Sequence, residues 1–164
     1  MTKNYKVDYE SPIGIIEIIS TDEVIRSIMF FERDKKETLR SVEVDLPLVL
    51  TECYKQLDEY FNGCRQQFTL PYEYVGTDFQ KTVWDALTQI PYAKTVSYMD
   101  IATAIGNEKA VRAVGSSNGR NKLSIVIPCH RVIGSTGKLT GYAGGLWRKE
   151  WLLQHEKSIK NKNA

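Results

Sequence analysis

Histidine and paired cysteine are what this chain has least of. Among its 164 residues there are two histidines, His130 and His155, and three cysteines, Cys53, Cys64 and Cys129, with no C-x-x-C spacing. A zinc site built on Cys129, His130 and His155 would lack the paired thiols and the ligand spacing that zinc uses. An odd, scattered set of cysteines also argues against a disulfide framework. No metal and no cofactor are therefore expected, and reduced thiols suit a cytoplasmic setting. Long hydrophobic runs are missing too. No apolar stretch approaches the roughly 20 residues that cross a bilayer, and the start Met1-Thr2-Lys3-Asn4-Tyr5-Lys6 has no signal-peptide core. What remains is an ordinary globular composition, 42% apolar and 26% charged, long enough for one good core or two small lobes.

The net charge of +2 hides an uneven distribution. Residues 1–76 carry 9 Lys and Arg against 14 Asp and Glu, net −5, whereas residues 77–164 carry 13 against 6, net +7. A basic half joined to an acidic half is expected where only one lobe meets a polyanion. The reading is a two-domain α/β (α+β) chain. Residues 1–76 form a small antiparallel sheet with a helix, and residues 77–164 form a mainly helical domain that contains Cys129.

In the first half, alternation at Val7 and Tyr9, the isoleucine-rich run Ile13 to Ile19, and Val24 to Phe31 predict three strands. A charged loop is expected around Asp34 to Glu37. Leu50, Cys53, Tyr54, Leu57 and Phe61 at helical spacing predict a helix from about Pro47 to Asn62, with Gly63 just past its end and Cys53 in its core face. Gln67 to Leu70 suggests a further strand. No cluster of catalytic residue types stands in this half.

In the second half, Asp78 can cap a helix with Phe79, Val83, Leu87 and Ile90 on its apolar face, ended by Pro91. Ser97-Tyr98-Met99-Asp100 is a Ser-x-x-Asp start signal for the next helix. After Gly106, Asn107 can cap a further helix to about Ser116. Two short helices around Gly106-Asn107 have the proportions of a helix-turn-helix. The second carries Arg112 among Ala110, Ala113 and Gly115, small residues that allow close approach to a groove. From Leu146 a last helix ends near His155-Glu156, with Trp147 and Trp151 four apart and a polar, frayed tail from Lys157.

The β-branched run Ile125-Val126-Ile127 predicts a buried strand stopped by Pro128, with Cys129 at its end. Cys129 is either a buried structural thiol or a reactive one. His130 and Arg131 beside it supply an imidazole and a fixed positive charge, and Glu156 could hold the imidazole. Cys, His and Glu would then be nucleophile, base and orienter, with His130 acting through a bridging water because adjacent residues point apart. A cysteine hydrolase is an alternative use of the same pair.

Pro128-Cys129-His130-Arg131-Val132, the Ser97-Tyr98 helix start, Arg112, Asn121 and Glu150-Trp151-Leu152-Leu153-Gln154-His155-Glu156 resemble, in order, the O6-alkylguanine-DNA alkyltransferase family. The resemblance runs from about Gly76 to Glu156. It implies a ribonuclease H-like amino-terminal domain and a monomer that repairs double-stranded DNA by a single, irreversible transfer of an alkyl group from guanine O6 to Cys129. O4-alkylthymine is implied as a further substrate. It also implies that His130 takes the thiol proton through water, that Glu156 orients His130, and that Tyr98 hydrogen-bonds N3 of the extruded guanine. Arg112 would fill the flipped base's place in the stack, with Ala110, Ala113 and Gly115 against the minor groove and Arg131 on the DNA side. Asn121 would brace the site, and Tyr142, Ala143 and Gly144 would line the base pocket. Two departures stand out: Ala93 where members often have glycine, and Ala143 where some have a serine that could bond guanine O6. A non-reactive lesion binder of related fold would carry tryptophan in place of Cys129.

Overall fold

The computed structural model describes residues 3–32 and 45–162. They divide into two compact units, with the boundary between Tyr74 and Val75. The charged loop expected around Asp34 to Glu37 lies outside the described residues.

In the first unit, alternating burial along β1 (Tyr5–Ser11) and β2 (Gly14–Ser20) builds an antiparallel sheet completed by β3 (Ile25–Phe30), in the order β1-β2-β3. Ile16, Ile18, Ile25 and Ile28 are buried in its core together with Leu50, Cys53, Leu57 and Tyr60 of helix α1 (Leu48–Phe61). Burial pushes the Cys53 thiol up to about 12, as befits a packing residue. Asn62 ends α1, and Gly63 follows at φ 78°, a left-handed conformation that glycine adopts without steric cost. The strand expected at Gln67 to Leu70 does not form. The buried side chain of Gln56 takes the place of a ladder partner: its Oε1 accepts from the Thr69 amide at 3.0 Å, and its Nε2 donates to the Thr69 carbonyl and hydroxyl.

The second unit begins with α2 (Asp78–Leu87). Thr77, not Asp78, is its cap, because Thr77 and Gln80 form a reciprocal capping box. The helix ends at Leu87, before Pro91 is reached. A short strand β4 (Val96–Ser97) leads into α3 (Tyr98–Ala104), where Ser97 and Asp100 make the capping box that the Ser-x-x-Asp signal predicts. Gly106 turns the chain at φ 75°. Asn107 makes no side-chain cap; a 3-10 turn, Glu108–Ala110, comes first, and α4 (Val111–Gly119) follows it. Trp84 of α2 is buried and donates from Nε1 to the Ser117 carbonyl of α4 at 2.8 Å, which joins the two helices through one indole.

The strand expected at Ile125-Val126-Ile127 is absent. Ile125 sits at φ 73°, a conformation that costs a β-branched residue about 1–3 kcal/mol, and the segment closes on itself through bonds from Ile127 to Leu123 and from Val126 to Ser124. Asn121 over-determines this turn: its Oδ1 accepts from the Leu123 amide at 3.0 Å, and its Nδ2 donates to the Ile127 carbonyl at 2.9 Å. Cys129 therefore opens a 3-10 turn, Cys129–Arg131. Then β5 (Val132–Ile133) pairs parallel to β4. Helix α5 runs Leu146–Lys162, so residues 157–162 continue the helix where a frayed tail was expected. Trp151 stacks on His155 at 4.9 Å, while the Arg148 guanidinium lies over the Trp147 ring at 4.4 Å.

Trp84→Phe removes the indole donor and part of the ring volume, leaving the Ser117 carbonyl with only its bond from the Arg120 amide at 3.1 Å. It should lower the unfolding free energy by about 1–3 kcal/mol in urea titrations, and an unchanged midpoint would show that the indole bond contributes nothing.

Candidate active site

Three elements meet at Cys129: the turn after Asn121, the 3-10 turn it opens, and the inward face of α5. The thiol residue is 3% exposed. Its amide donates to the Ile127 carbonyl at 2.8 Å, and its carbonyl accepts from Asn118 Nδ2 of α4 at 3.3 Å. Main-chain bonds on both sides thus aim the sulfur. Burial pushes the thiol up, and a hydrogen bond from Asn121 and the positive charge of Lys149 pull it back toward the thiolate.

Beside it, His130 is fully buried and its Nε2 lies 2.6 Å from Glu156 Oε2. Glu156 is also fully buried and is the most heavily bonded side chain of the site. Its Oε1 accepts from Arg131 Nε at 2.8 Å and from the Ala93 amide at 3.1 Å, and its Oε2 accepts from Arg131 Nη2 at 3.1 Å. Burial alone would push this carboxyl up, but His130 and Arg131 together hold it well below the ordinary carboxylate range. Burial pushes His130 down; the attraction of Glu156 opposes this, and Arg131 and Lys149 reinforce it. The imidazole is neutral, and an ionised acceptor makes Nε2 the N–H donor. Nδ1, buried and without a hydrogen-bond partner in the protein, keeps its lone pair on the residue next to Cys129.

Arg131, expected on the DNA side, is placed otherwise. It is buried, two of its nitrogens hold Glu156 and Nη1 donates to the Ile90 carbonyl at 2.8 Å, so its donors are used inside the fold. The cation that acts on the thiol is Lys149. It is completely buried, and its Nζ donates to the Val132 carbonyl at 2.5 Å and the Thr140 carbonyl at 2.7 Å. Burial brings Lys149 down to about 8, and the Cys129 charge opposes that shift. Sequence reasoning passed over Lys149, although it shares a helical face with Leu152 and Glu156, all three fully buried at i, i+3 and i+7. Asn118 and the Ala93 amide were also passed over. Ala93 adopts φ 63°, which explains why a glycine would suit this position and how its amide comes to face Glu156.

Tyr142 is buried. Burial raises its phenol well above the ordinary value, as does the neighbouring Cys129 charge. Gly144 is tied to α5 through its carbonyl, which accepts from Arg148 Nη1 at 2.9 Å, and Ala143 between them is exposed. Tyr98 is half-buried with its hydroxyl 2.7 Å from Thr140 Oγ1, and its ring lies close to where a side chain on Gly115 would begin. Arg112 and Ala113 stand on the exposed face of α4, and Ala110 is half-buried; these residues do not join the buried cluster. His155, stacked on Trp151, is outside it as well. Among the described residues, no group of three or more His, Cys, Asp and Glu side chains is arranged to hold a metal ion.

The titrations give a signed expectation. The unfolded chain protonates His130 below about 6.5 whereas the fold disfavours that proton, so stability falls as pH drops below this value. Glu156, ionised more readily in the fold, contributes above about 4.5 and loses its contribution as pH falls further. Thermal melts should therefore decline continuously from pH 6.5 to 4. A melting temperature that rises in that range would contradict the neutral His130.

Residues 78–158 match the family model described as 6-O-methylguanine DNA methyltransferase, DNA binding domain, and residues 4–74 match its ribonuclease-like domain. A methylated-DNA–protein-cysteine methyltransferase of Methanosarcina acetivorans is 46% identical over 94% of this chain and 99% of its own length. The crystal structure of Mycobacterium tuberculosis O6-methylguanine methyltransferase superposes with a TM-score of 0.82 at 39% identity, covering 96% of this chain and 94% of the other. A structure of the Mycobacterium tuberculosis protein in complex with DNA gives 0.81 at 42% identity, over 93% and 92% of the two chains. No helix among the described residues is long and apolar enough to cross a membrane. The chain belongs to the 6-O-methylguanine DNA methyltransferase family.

Proposed function

We propose that the protein repairs double-stranded DNA by moving the alkyl group of O6-alkylguanine, and of O4-alkylthymine, onto Cys129, once per molecule. The observation that carries this reading is the buried 2.6 Å contact between His130 Nε2 and Glu156, which leaves Nδ1 available as a base on the residue that follows Cys129. His130 takes the Cys129 proton through a water, and the ionised Glu156 stabilises the imidazolium that results. The thiolate, favoured by Lys149 and Asn121, attacks the alkyl carbon. A sulfur–carbon bond forms as the carbon–O6 bond breaks, and the electron pair departs with the guanine. Tyr98 eases the charge on the departing base by a hydrogen bond to N3. Backbone groups of Tyr142, Ala143 and Gly144 line the pocket, since Ala143 has no hydroxyl to offer. The thioether has no route of release in the site, so the reagent is consumed.

Access to the base requires extrusion. The exposed face of α4, with Ala113 beside Arg112, can approach the minor groove closely, and Arg112 fills the gap left by the flipped base. The family match to a DNA-binding domain and the DNA complex of the mycobacterial relative support DNA as the partner. The protein acts as a monomer in the cytoplasm.

Incubation with a duplex bearing O6-methylguanine should add one methyl group per molecule, located on Cys129 by peptide mass, and Cys129→Ala should bind the lesion without gaining mass. Methylation of another residue, or an unchanged wild-type mass, would sink the proposal. Arg112→Ala should slow repair in duplex DNA by roughly tenfold or more, because extruding a base costs a few kcal/mol, and leave reaction with the free base near its original rate. Equal losses on both substrates would count against the finger.

A further inference from the structure

The hydroxyl of Tyr98 does not stand alone in the fold. It lies 2.7 Å from Thr140 Oγ1, in a contact where either oxygen can donate. Thr140 is held in turn, because its carbonyl accepts from the buried Nζ of Lys149 at 2.7 Å. The same ammonium donates to the Val132 carbonyl, one residue past the 3-10 turn that Cys129 opens, and sits 6.0 Å from the Tyr98 ring centroid. A continuous set of bonds thus runs from the nucleophile's turn through Lys149 and the Thr140 backbone to the phenol.

We propose that Thr140 is a positioning residue for the transfer, acting through Tyr98; this rests on the role given above to Tyr98. A phenol has one proton. When Tyr98 donates to a ring nitrogen of the departing base, its oxygen is free to accept, and Thr140 Oγ1 is the donor at hand. The bond from Thr140 fixes the direction of the Tyr98 O–H and polarises it, since a hydroxyl that accepts a hydrogen bond donates a stronger one. The effect grows as negative charge develops on the base, so it is larger in the transition state than in the bound substrate. No bond to hydrogen is broken at Thr140. Lys149 holds the backbone of residue 140, so the hydroxyl is in place before substrate arrives.

The test is a double-mutant cycle read as single-turnover transfer rate at saturating O6-methylguanine duplex, with thermal melts and DNA affinity measured alongside. Thr140→Val keeps the side-chain shape and removes the hydroxyl; the rate should fall roughly five- to tenfold, the worth of one hydrogen bond, with DNA affinity unchanged. Thr140→Ser should restore the rate to within about twofold of the original, and Thr140→Val placed on Tyr98→Phe should change the rate by less than about twofold. A full rate for Thr140→Val, or equal losses with and without the Tyr98 hydroxyl, overturns the role of Thr140 while leaving that of Tyr98 intact. A full rate for Tyr98→Phe overturns both.

Discussion

The site depends on one buried charge. Glu156 has no exposure, and a carboxylate taken out of water is tolerated only when its lone pairs are used. Here they are used completely, by Arg131 through two nitrogens, by His130, and by the amide that Ala93 presents from a left-handed conformation. Its partners tie Glu156 to two segments, the turn of the nucleophile and the connection between α2 and β4. Arg131 reaches on to the Ile90 carbonyl beyond the end of α2, His130 belongs to the turn of the nucleophile, and Ala93 belongs to the connection that leads into β4. The carboxylate is therefore both the electrostatic partner of the base and the point at which α5 is fastened to the rest of the unit. Removing it would leave Arg131 buried without a counter-charge, so its chemical and structural roles are inseparable in a simple deletion.

A second constraint sets the nucleophile. Ile125 occupies backbone space that a β-branched residue avoids, and it persists because Asn121 binds the main chain on both sides of it. The strained turn delivers Cys129 to a 3-10 turn whose carbonyl is held by Asn118 of α4, the helix that also carries Arg112. The helix proposed to read DNA and the thiol proposed to react are thereby joined by a side-chain bond within one unit. Lys149 completes the arrangement from α5, where its charge favours the thiolate that burial disfavours.

Much of this was legible in the sequence because the relevant residues are unusual in type or sit in short, ordered motifs. Ser97 with Asp100 specified a helix start, isoleucine alternation specified the sheet, and Cys129, His130 and Glu156 stood out as a candidate set, all three of which the fold buries. The rest was hidden for physical reasons. The run Ile125-Val126-Ile127 has the composition of a strand, and only the side-chain bonds of Asn121, which propensity does not weigh, turn it into a loop. Arg131 reads as a free cation until its partner, 25 residues away, is seen. Lys149 was overlooked because lysine is rarely buried; its burial is legible only from its place on the face shared with Leu152 and Glu156. Thr140 carries no signal at all in sequence, since a threonine in a turn has many uses.

The chemistry rests on an ionised Glu156 that holds a neutral His130 with its proton on Nε2 and its lone pair on Nδ1. Nitrogen-15 NMR of the imidazole in the unreacted protein tests it most directly. Nε2 of His130 should be protonated and Nδ1 unprotonated at neutral pH, and should stay so as the pH is lowered past about 6.5, the ordinary value for a histidine. A proton on Nδ1, or an imidazolium at neutral pH, would contradict it.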